Sequence, residues 1–246
     1  MRALAPALAV LLLVPAGALA GPPYVTDDPE PVELHHWELY LASQTTFGGG
    51  GLSGTAPHFE VNYGAAPGLQ LHAIFPLAIA AGGGEPARYG PGDLELGVKY
   101  RFVDQDRIGV QIGTFPIVTL PTGSQARGLG EGAATVFLPL WLQRTAGPWT
   151  TYGGAGYRIR TAAGEQDSWF LGWQLQRCFG QVALGAEVYR ETDSPRTLAG
   201  ATGFSVGAIV DLSERHHLLA SFGGTGRGPQ DLHAYLGWLV TLGPKG

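Results

Sequence analysis

The chain has 246 residues, of which 45% are hydrophobic, 10% are aromatic and only 14% are charged, with 39 glycines. This composition excludes intrinsic disorder, which requires few aromatics and high charge, and argues against a helical protein, because glycine destabilises helices. The formal net charge of −5 provides no basic surface for nucleic acid, so no nucleic-acid partner is expected. A single cysteine, Cys178, excludes an internal disulfide.

Residues 1–20 have the features of a secretory signal peptide. Arg2 gives a positive start, residues 4–14 form an apolar run, and Ala18-Leu19-Ala20 supplies the small residues that a signal peptidase binds. We predict cleavage after Ala20 and export; the alternative is a buried N-terminal helix. No later apolar run approaches the roughly 18 residues of a transmembrane helix.

Apolar and polar residues alternate in the rest of the chain. Within 93–102, for example, Leu94, Leu96 and Val98 fall on one face while Glu95 and Lys99 fall on the other. Such alternation is typical of a strand with one apolar and one polar face. Most of these segments reach the roughly 9–11 residues that a tilted strand needs to cross a bilayer. The twelve segments are 35–47, 55–64, 68–80, 92–102, 107–119, 133–144, 148–161, 167–178, 180–190, 199–211, 215–223 and 232–242.

The distribution of charges favours lipid as the medium at the apolar face. In the central stretches no charged residue falls on the apolar phase, and Arg177 and Arg190 do so only at segment ends. A charge facing lipid at the bilayer midplane costs roughly 2–4 kcal/mol, so a membrane would enforce this segregation. A soluble β-sandwich also alternates, and it is the alternative architecture.

The connections between the segments alternate in length, which favours the membrane barrel. The first, third and later odd-numbered connections are long and rich in glycine and proline, whereas the even-numbered ones are tight. Long external loops, short periplasmic turns and an even strand number characterise outer-membrane barrels. We therefore predict an all-β protein, an up-and-down antiparallel transmembrane β-barrel of about 12 strands over residues 35–246, with both ends in the periplasm.

Three stretches carry a family resemblance: YVTDDPEPVE at 24–33, GDLELGVKYRF at 92–102 and FPIVTLPTG at 115–123. They resemble the family of outer-membrane transporters of the meta-cleavage phenol-degradation pathway, and the strand rhythm agrees over most of the mature chain. The resemblance implies an outer-membrane channel linked to uptake of aromatic or other hydrophobic compounds. It supports transport as a class more than phenol as the substrate.

The end of the chain departs from the usual pattern of outer-membrane barrels. Many such barrels end on a terminal Phe or Trp, whereas here Leu242 is followed by Gly-Pro-Lys-Gly. Recognition by the outer-membrane assembly machinery is therefore expected to use an internal signal ending near Trp238 to Leu242, or to be less efficient.

The polar phase of the strands is expected to line the lumen. Its charges could form a constriction that filters solutes or a neutralised structural network, and the sequence leaves both open. Its aromatic residues could contact aromatic solutes or simply fill a narrow barrel, and we favour filling. The candidate lumen-lining residues are Glu38, Glu60, Asp93, Glu95, Lys99, Arg101, Trp141, Tyr152, Arg158, Arg160 and Glu187.

Residues 21–34 form an acidic, proline-rich leader before the first strand. Four prolines give it a stiff extended backbone, and Asp27, Asp28, Glu30 and Glu33 give it negative charge. It is expected to fold into the lumen as a partial plug against lysine and arginine side chains, or to extend into the periplasm. We favour the plug.

Metal and catalytic sites are not expected. His35-His36 and His216-His217 are adjacent pairs, whose members point to opposite faces of a strand and cannot chelate one ion. Asp211, His217 and Ser221 share a face, but no G-x-S-x-G elbow accompanies them. We therefore expect no cofactor and no enzyme activity.

The sequence thus predicts a porin-like channel for passive passage of small solutes across the outer membrane of a Gram-negative-type bacterium. Its expected partners are membrane lipid, a small-molecule solute and the assembly machinery. The alternative is a structural or adhesive barrel with an occluded lumen, and a barrel hydrolase is a weaker one.

Overall fold

The structure is a computed structural model that describes residues 22–49, 51–82, 84–192, 200–227 and 231–244, so the predicted signal peptide lies outside the described residues. No helix in this part of the chain is long and apolar enough to cross a membrane. The elements in chain order are β1 (Trp37–Gly48), β2 (Gly51–Ala66), β3 (Leu69–Gly82), β4 (Glu85–Pro91), β5 (Leu94–Val103), α1 (Gln105–Ile108), β6 (Gln111–Thr114), β7 (Ile117–Leu120), a 3-10 turn (Gln125–Arg127), β8 (Thr135–Ala146), β9 (Trp149–Arg160), β10 (Ser168–Phe179), β11 (Val182–Glu191), β12 (Ala201–Asp211), β13 (His216–Arg227) and β14 (Leu232–Leu242).

The strands form one antiparallel sheet that closes on itself. β1 pairs with β14, and β3 pairs with β5, so the order of neighbours returns to its start. Of the 14 strands, β4 pairs only with β3, and β6 and β7 share one position between β5 and β8. The wall therefore has 12 positions, and the predicted up-and-down transmembrane barrel is confirmed.

The strand predicted at 107–119 differs from the structure in where it begins and in its continuity. Residues Gln105–Ile108 form the short helix α1, and the strand is divided into β6 and β7 at Phe115 and Pro116. Proline has no N–H to donate to a ladder, which explains the interruption. The wall stays connected there because the Val98 N–H donates to the Pro116 carbonyl at 3.1 Å.

The connection predicted at 48–54 is also shorter than expected. β1 and β2 pair as far as Gly48 and Gly51, so the strands continue to the tip of the hairpin. Gly49 has φ +59°, a left-handed conformation that glycine adopts without steric cost. The next long connection, predicted as a loop at 81–91, contains β4, which pairs back on β3.

The barrel has two ends, named here the turn end and the loop end. The turn end holds the connections 67–68, 104–110, 147–148, 180–181 and 212–215, together with the start of β1 and the end of β14. The loop end holds the tip of the β1–β2 hairpin, the long segment 121–134 and the connection 161–167.

The apolar phase of the strands forms the outer surface. Leu140 is 49% exposed, Trp173 51% and Leu236 64%, although all three lie within strands. A water-soluble protein rarely exposes a continuous apolar surface of this kind, whereas a bilayer requires it. Arg177 and Arg190 lie on this surface near strand ends, as predicted, and so does Arg144, which the sequence analysis did not identify.

Candidate functional site

The leader, residues 22–34, crosses the inside of the barrel. At one side, the Ser221 hydroxyl on β13 donates to the Pro23 carbonyl at 2.6 Å. At the other, the Val32 N–H donates to the Gln70 side chain on β3 at 2.9 Å. The leader then joins β1 after a backbone bond from His35 to Gly64 of 2.7 Å. Its proline-rich backbone forms no strand with the wall, so side chains of the wall hold it.

Glu187 on β11 fixes the first part of the leader. Its carboxylate accepts the backbone N–H of Val25 at 2.9 Å and that of Thr26 at 2.7 Å. The Ser205 hydroxyl donates to the same carboxylate at 2.5 Å. Thr26 is fully buried and Glu187 is 5% exposed, so these charge-assisted hydrogen bonds are shielded from water.

Lys99 on β5 fixes the middle of the leader. Its ammonium lies 2.9 Å from the Asp27 carboxylate and 3.3 Å from the Asp28 carboxylate, and 4.9 Å from the centre of the Phe115 ring. Lys99 is 4% exposed and Asp28 is fully buried. Charged side chains are buried in this way only when they are paired, so the lysine and the leader depend on each other.

Glu30 binds the wall near the turn end. Its carboxylate accepts hydrogen bonds from the amides of Gln143 at 2.5 Å and Gln111 at 3.4 Å. The Arg101 guanidinium lies 3.7 Å from Glu30 and 2.9 Å from Asp104. The leader is thus held by hydrogen bonds or ion pairs along most of its length.

Glu60 and Glu95 lie in the wall on β2 and β5, where His72 joins them. The His72 ring nitrogens lie 3.6 Å from Glu60 and 3.1 Å from Glu95. Asn62 donates to Glu60 at 2.8 Å and contacts His72 at 2.7 Å. His72 was not among the predicted lumen-lining residues, although its place on the polar phase of β3 could have indicated it.

Three further candidates lie toward the ends of the barrel. On β9, Arg158 and Arg160 share one partner, since the Glu191 carboxylate lies 3.2 Å from Arg158 and 2.7 Å from Arg160. On β1, the Tyr40 hydroxyl donates to Glu38 at 2.9 Å.

Asp93 precedes β5 and holds the loop 121–134. Its carboxylate accepts the backbone N–H of Gly123 at 2.8 Å and that of Glu131 at 2.7 Å. This residue therefore shapes the loop end of the barrel through the backbone of that loop.

Aromatic side chains pack together inside the barrel on the β7–β10 side. The aromatic cluster consists of Phe115, Phe137, Trp141 and Phe170, with ring centroids 6.0–6.3 Å apart for the three pairs among the last three residues. Tyr152, on β9, is fully buried on the same inner face.

A cavity of about 280 Å³ lies between the aromatic cluster and the leader. Phe115, Phe137 and Trp141 line one part, and the leader residues Tyr24, Val25 and Asp27 line another. Glu95, Arg158, Thr119 and Thr135 also line it, and these residues lie toward the loop end of their strands. The cavity is therefore a vestibule on the loop side of the leader. A hollow of about 400 Å³ beside Trp238 lies on the outer surface and faces lipid.

An aliphatic cluster fills the lumen near β1 and β12–β14. It contains Tyr40, Ala42, Ile209, Leu219, Tyr235 and Leu239, of which Leu219 and Leu239 are fully buried. A polar inner face was predicted here, and the apolar residues Ile209, Leu219 and Leu239 were not expected on it. On this side the barrel fills itself with side chains, as narrow barrels do.

The Ser221, His217 and Asp211 side chains do not form a catalytic arrangement. The His217 ring lies 2.7 Å from Asp211, but the Ser221 hydroxyl donates to Pro23 of the leader. Ser221 and His217 are four residues apart on one strand, which separates them by about 13 Å. His216 points outward against Trp238, at 5.6 Å between ring centroids. Within the described residues, no three His, Cys, Asp or Glu side chains could hold a metal ion.

Solved outer-membrane channels share this fold. The COG4313 outer membrane channel from Pseudomonas putida F1 superposes with a TM-score of 0.69 at 15% identity, over 87% of this chain and 98% of that one. The NanC porin gives 0.59 at 10% identity, over 83% and 100%. The KdgM porin gives 0.58 at 9% identity, over 82% and 98%. At these identities the likeness is one of fold. No family model matches the sequence, and no curated protein matches it.

Proposed function

We propose that the protein is an outer-membrane channel for the passive passage of small solutes. The observation that carries this proposal is a closed transmembrane barrel whose lumen holds a vestibule of about 280 Å³ lined by charged and aromatic side chains. The channels and porins of the same fold support it. Export by the predicted signal peptide, insertion by the assembly machinery and residence in the outer membrane belong to the same proposal.

The vestibule suits solutes with an aromatic or other apolar part. Phe115, Phe137 and Trp141 offer ring faces, and the Arg158 guanidinium lies 4.6 Å from the centre of the Phe137 ring. Aromatic contact binds an apolar ring, while Glu95 and Arg158 bind polar substituents. This chemistry agrees with the resemblance to transporters linked to phenol degradation, and that link stays a prediction.

The leader acts as a plug in this proposal. It forms the floor of the vestibule, and its ion pair with Lys99 and its hydrogen bonds to Glu187 hold it across the lumen. Solutes pass when the leader shifts or leaves, and they move only down their gradient.

Swelling of proteoliposomes tests the channel. Vesicles carrying the mature chain, or a variant lacking residues 22–34, are diluted into arabinose, leucine or phenylalanine, and the loss of turbidity is followed. We expect slow swelling with the mature chain and fast swelling with the deletion, phenylalanine entering faster than leucine. Protein-free vesicles are the control, and heat-modifiable gel mobility verifies that both proteins are folded.

The second candidate is a structural or adhesive barrel with an occluded lumen. The aliphatic cluster and the buried leader favour it, because together they fill much of the lumen with side chains. The same experiment separates the two candidates. Vesicles that stay tight to all three solutes with folded, leader-deleted protein would support the occluded barrel and contradict the channel.

A further inference from the structure

Three arginines lie on the lipid-facing phase near the ends of long barrel strands. They are Arg144 on β8, Arg177 on β10 and Arg190 on β11. Arg190 lies toward the loop end and donates to Thr202 at 2.8 Å. Arg144 and Arg177 lie together at the turn end.

Arg177 is held between two aromatic rings at the edge of the membrane. Its guanidinium carbon lies 5.1 Å from the centre of the Trp149 ring and 4.7 Å from that of the Phe179 ring. Trp149 is the first residue of β9, and Phe179 is the last residue of β10. The guanidinium is therefore directed to the turn end, where lipid headgroups meet the barrel, and its position is fixed by cation–π contacts.

Arg144 lies on the other side of Trp149. β9 runs between the two arginines: Arg144 pairs with Thr151, and Arg177 pairs with Trp149. Neighbouring strands are about 4.8 Å apart, so the two backbone positions are separated by about 10 Å across the sheet and about 7 Å along it. One phospholipid headgroup can span that separation when the reach of the two arginine side chains is included.

In the part of the chain that the structure describes, neither arginine has a carboxylate as counterion. Among the described residues no ion pair includes Arg144 or Arg177, and the adjoining turns 147–148 and 180–181 contain no acidic residue. An arginine at the edge of the hydrocarbon with no carboxylate beside it is solvated by water and lipid headgroups, and an anionic headgroup also neutralises its charge.

We propose that Arg144 and Arg177, with Trp149 and Phe179, form a binding site for the phosphate of an anionic glycerophospholipid in the leaflet at the turn end. A planar guanidinium matches phosphate oxygens and donates two hydrogen bonds to them. A zwitterionic lipid brings its own cationic group next to two arginines, so a lipid with net negative charge binds better. This proposal does not depend on whether the lumen conducts solutes.

Native mass spectrometry of the detergent-folded mature chain tests this site. The protein is incubated with equal amounts of dioleoylphosphatidylglycerol and dioleoylphosphatidylcholine, and the bound lipids are counted. We expect preferential retention of phosphatidylglycerol. Arg144→Gln or Arg177→Gln should each reduce that preference by about fivefold, and the double variant should reduce it by more than tenfold. Arg190→Gln, at the opposite end of the barrel, is the matched control and should retain the preference.

Two results would contradict the proposed lipid site. Equal retention of the two lipids by the unmodified protein, or an unchanged preference in the double variant, would overturn the proposal. Heat-modifiable mobility verifies that each variant is folded. A variant with both arginines replaced by lysine is a further test. It keeps the charge and should restore part of the preference for phosphatidylglycerol that the glutamine variants lose.

Discussion

The ammonium of Lys99 lies 2.9 Å from the carboxylate of Asp27, and 72 positions in the sequence separate the two residues. The contact joins the wall of the barrel to a segment that precedes the first strand. Because Asp28 and Glu187 add further buried contacts, the leader and the inner wall form one electrostatic unit.

Lys99→Met is expected to release the leader from its place in the lumen. The substitution leaves the buried Asp28 carboxylate and the partly exposed Asp27 carboxylate without their cation, and breaking a buried ion pair from one side costs about 3–5 kcal/mol. A cysteine at Thr26, in a Cys178→Ala background, reports release, because Thr26 is fully buried. Its rate of maleimide labelling should rise at least about tenfold with Lys99→Met.

Lys99→Arg is the matched control for that prediction. It keeps the positive charge beside Asp27 and should give slow labelling of the Thr26 cysteine. If the Lys99→Met protein is folded and its labelling rate equals that of the parent, the ion pair does not hold the leader.

Glu187→Gln should weaken the attachment of the leader to the opposite wall of the barrel. Hydrogen bonds to a charged acceptor contribute about 1.5–3 kcal/mol, and two leader N–H groups depend on this carboxylate. Labelling of the Thr26 cysteine should again accelerate. Combined with Lys99→Met, the change should add less than the sum of the two single effects, because a leader that has already left cannot be released twice. A labelling rate in the folded Glu187→Gln protein equal to that of the parent would show that this carboxylate does not hold the leader.

The strand pattern could be predicted because two different media touch the two faces of each strand. Along β10, Trp169, Leu171 and Trp173 face outward, and Phe170 and Gln174 face inward, as the alternation indicated. The charges of the lumen followed from the same rule. Their partners did not, because the contact between Lys99 and Asp27 depends on the path that the leader takes across the lumen.

The alternation of polar and apolar residues does not predict which apolar side chains lie on the inner face. Leu219 and Leu239 lie on the phase that was assigned to a polar lumen, yet both are fully buried in the aliphatic cluster. A narrow barrel can pack such residues against one another inside. They therefore depart from the alternating pattern, and the fold is unchanged. The division between β6 and β7 was missed for another reason, since it depends on the missing N–H of Pro116 rather than on polarity.

Gly156→Val is expected to destabilise the barrel by about 1–3 kcal/mol. A Cβ at Gly156 would overlap the Phe137 ring, which is packed in the aromatic cluster and cannot move freely. The measurement is the free energy of unfolding in urea, with the protein folded into vesicles. Gly226→Val is the control, because a Cβ there meets no atom within 4 Å, and its effect should stay within about 0.5 kcal/mol. Equal stabilities of the two variants would show that the aromatic cluster is loosely packed.

The Leu140→Arg variant tests whether lipid or water contacts the outer surface of the barrel. Leu140 lies near the middle of β8, is 49% exposed and belongs to the lipid-facing phase. An arginine near the bilayer midplane costs about 2–4 kcal/mol, whereas the same change on a surface in contact with water would cost almost nothing. We expect the free energy of unfolding from vesicles to fall by that amount, and Leu140→Phe, which stays apolar, to leave it nearly unchanged. An arginine variant as stable as the parent would mean that this face of β8 touches water, and the barrel would then have no lipid-facing surface there.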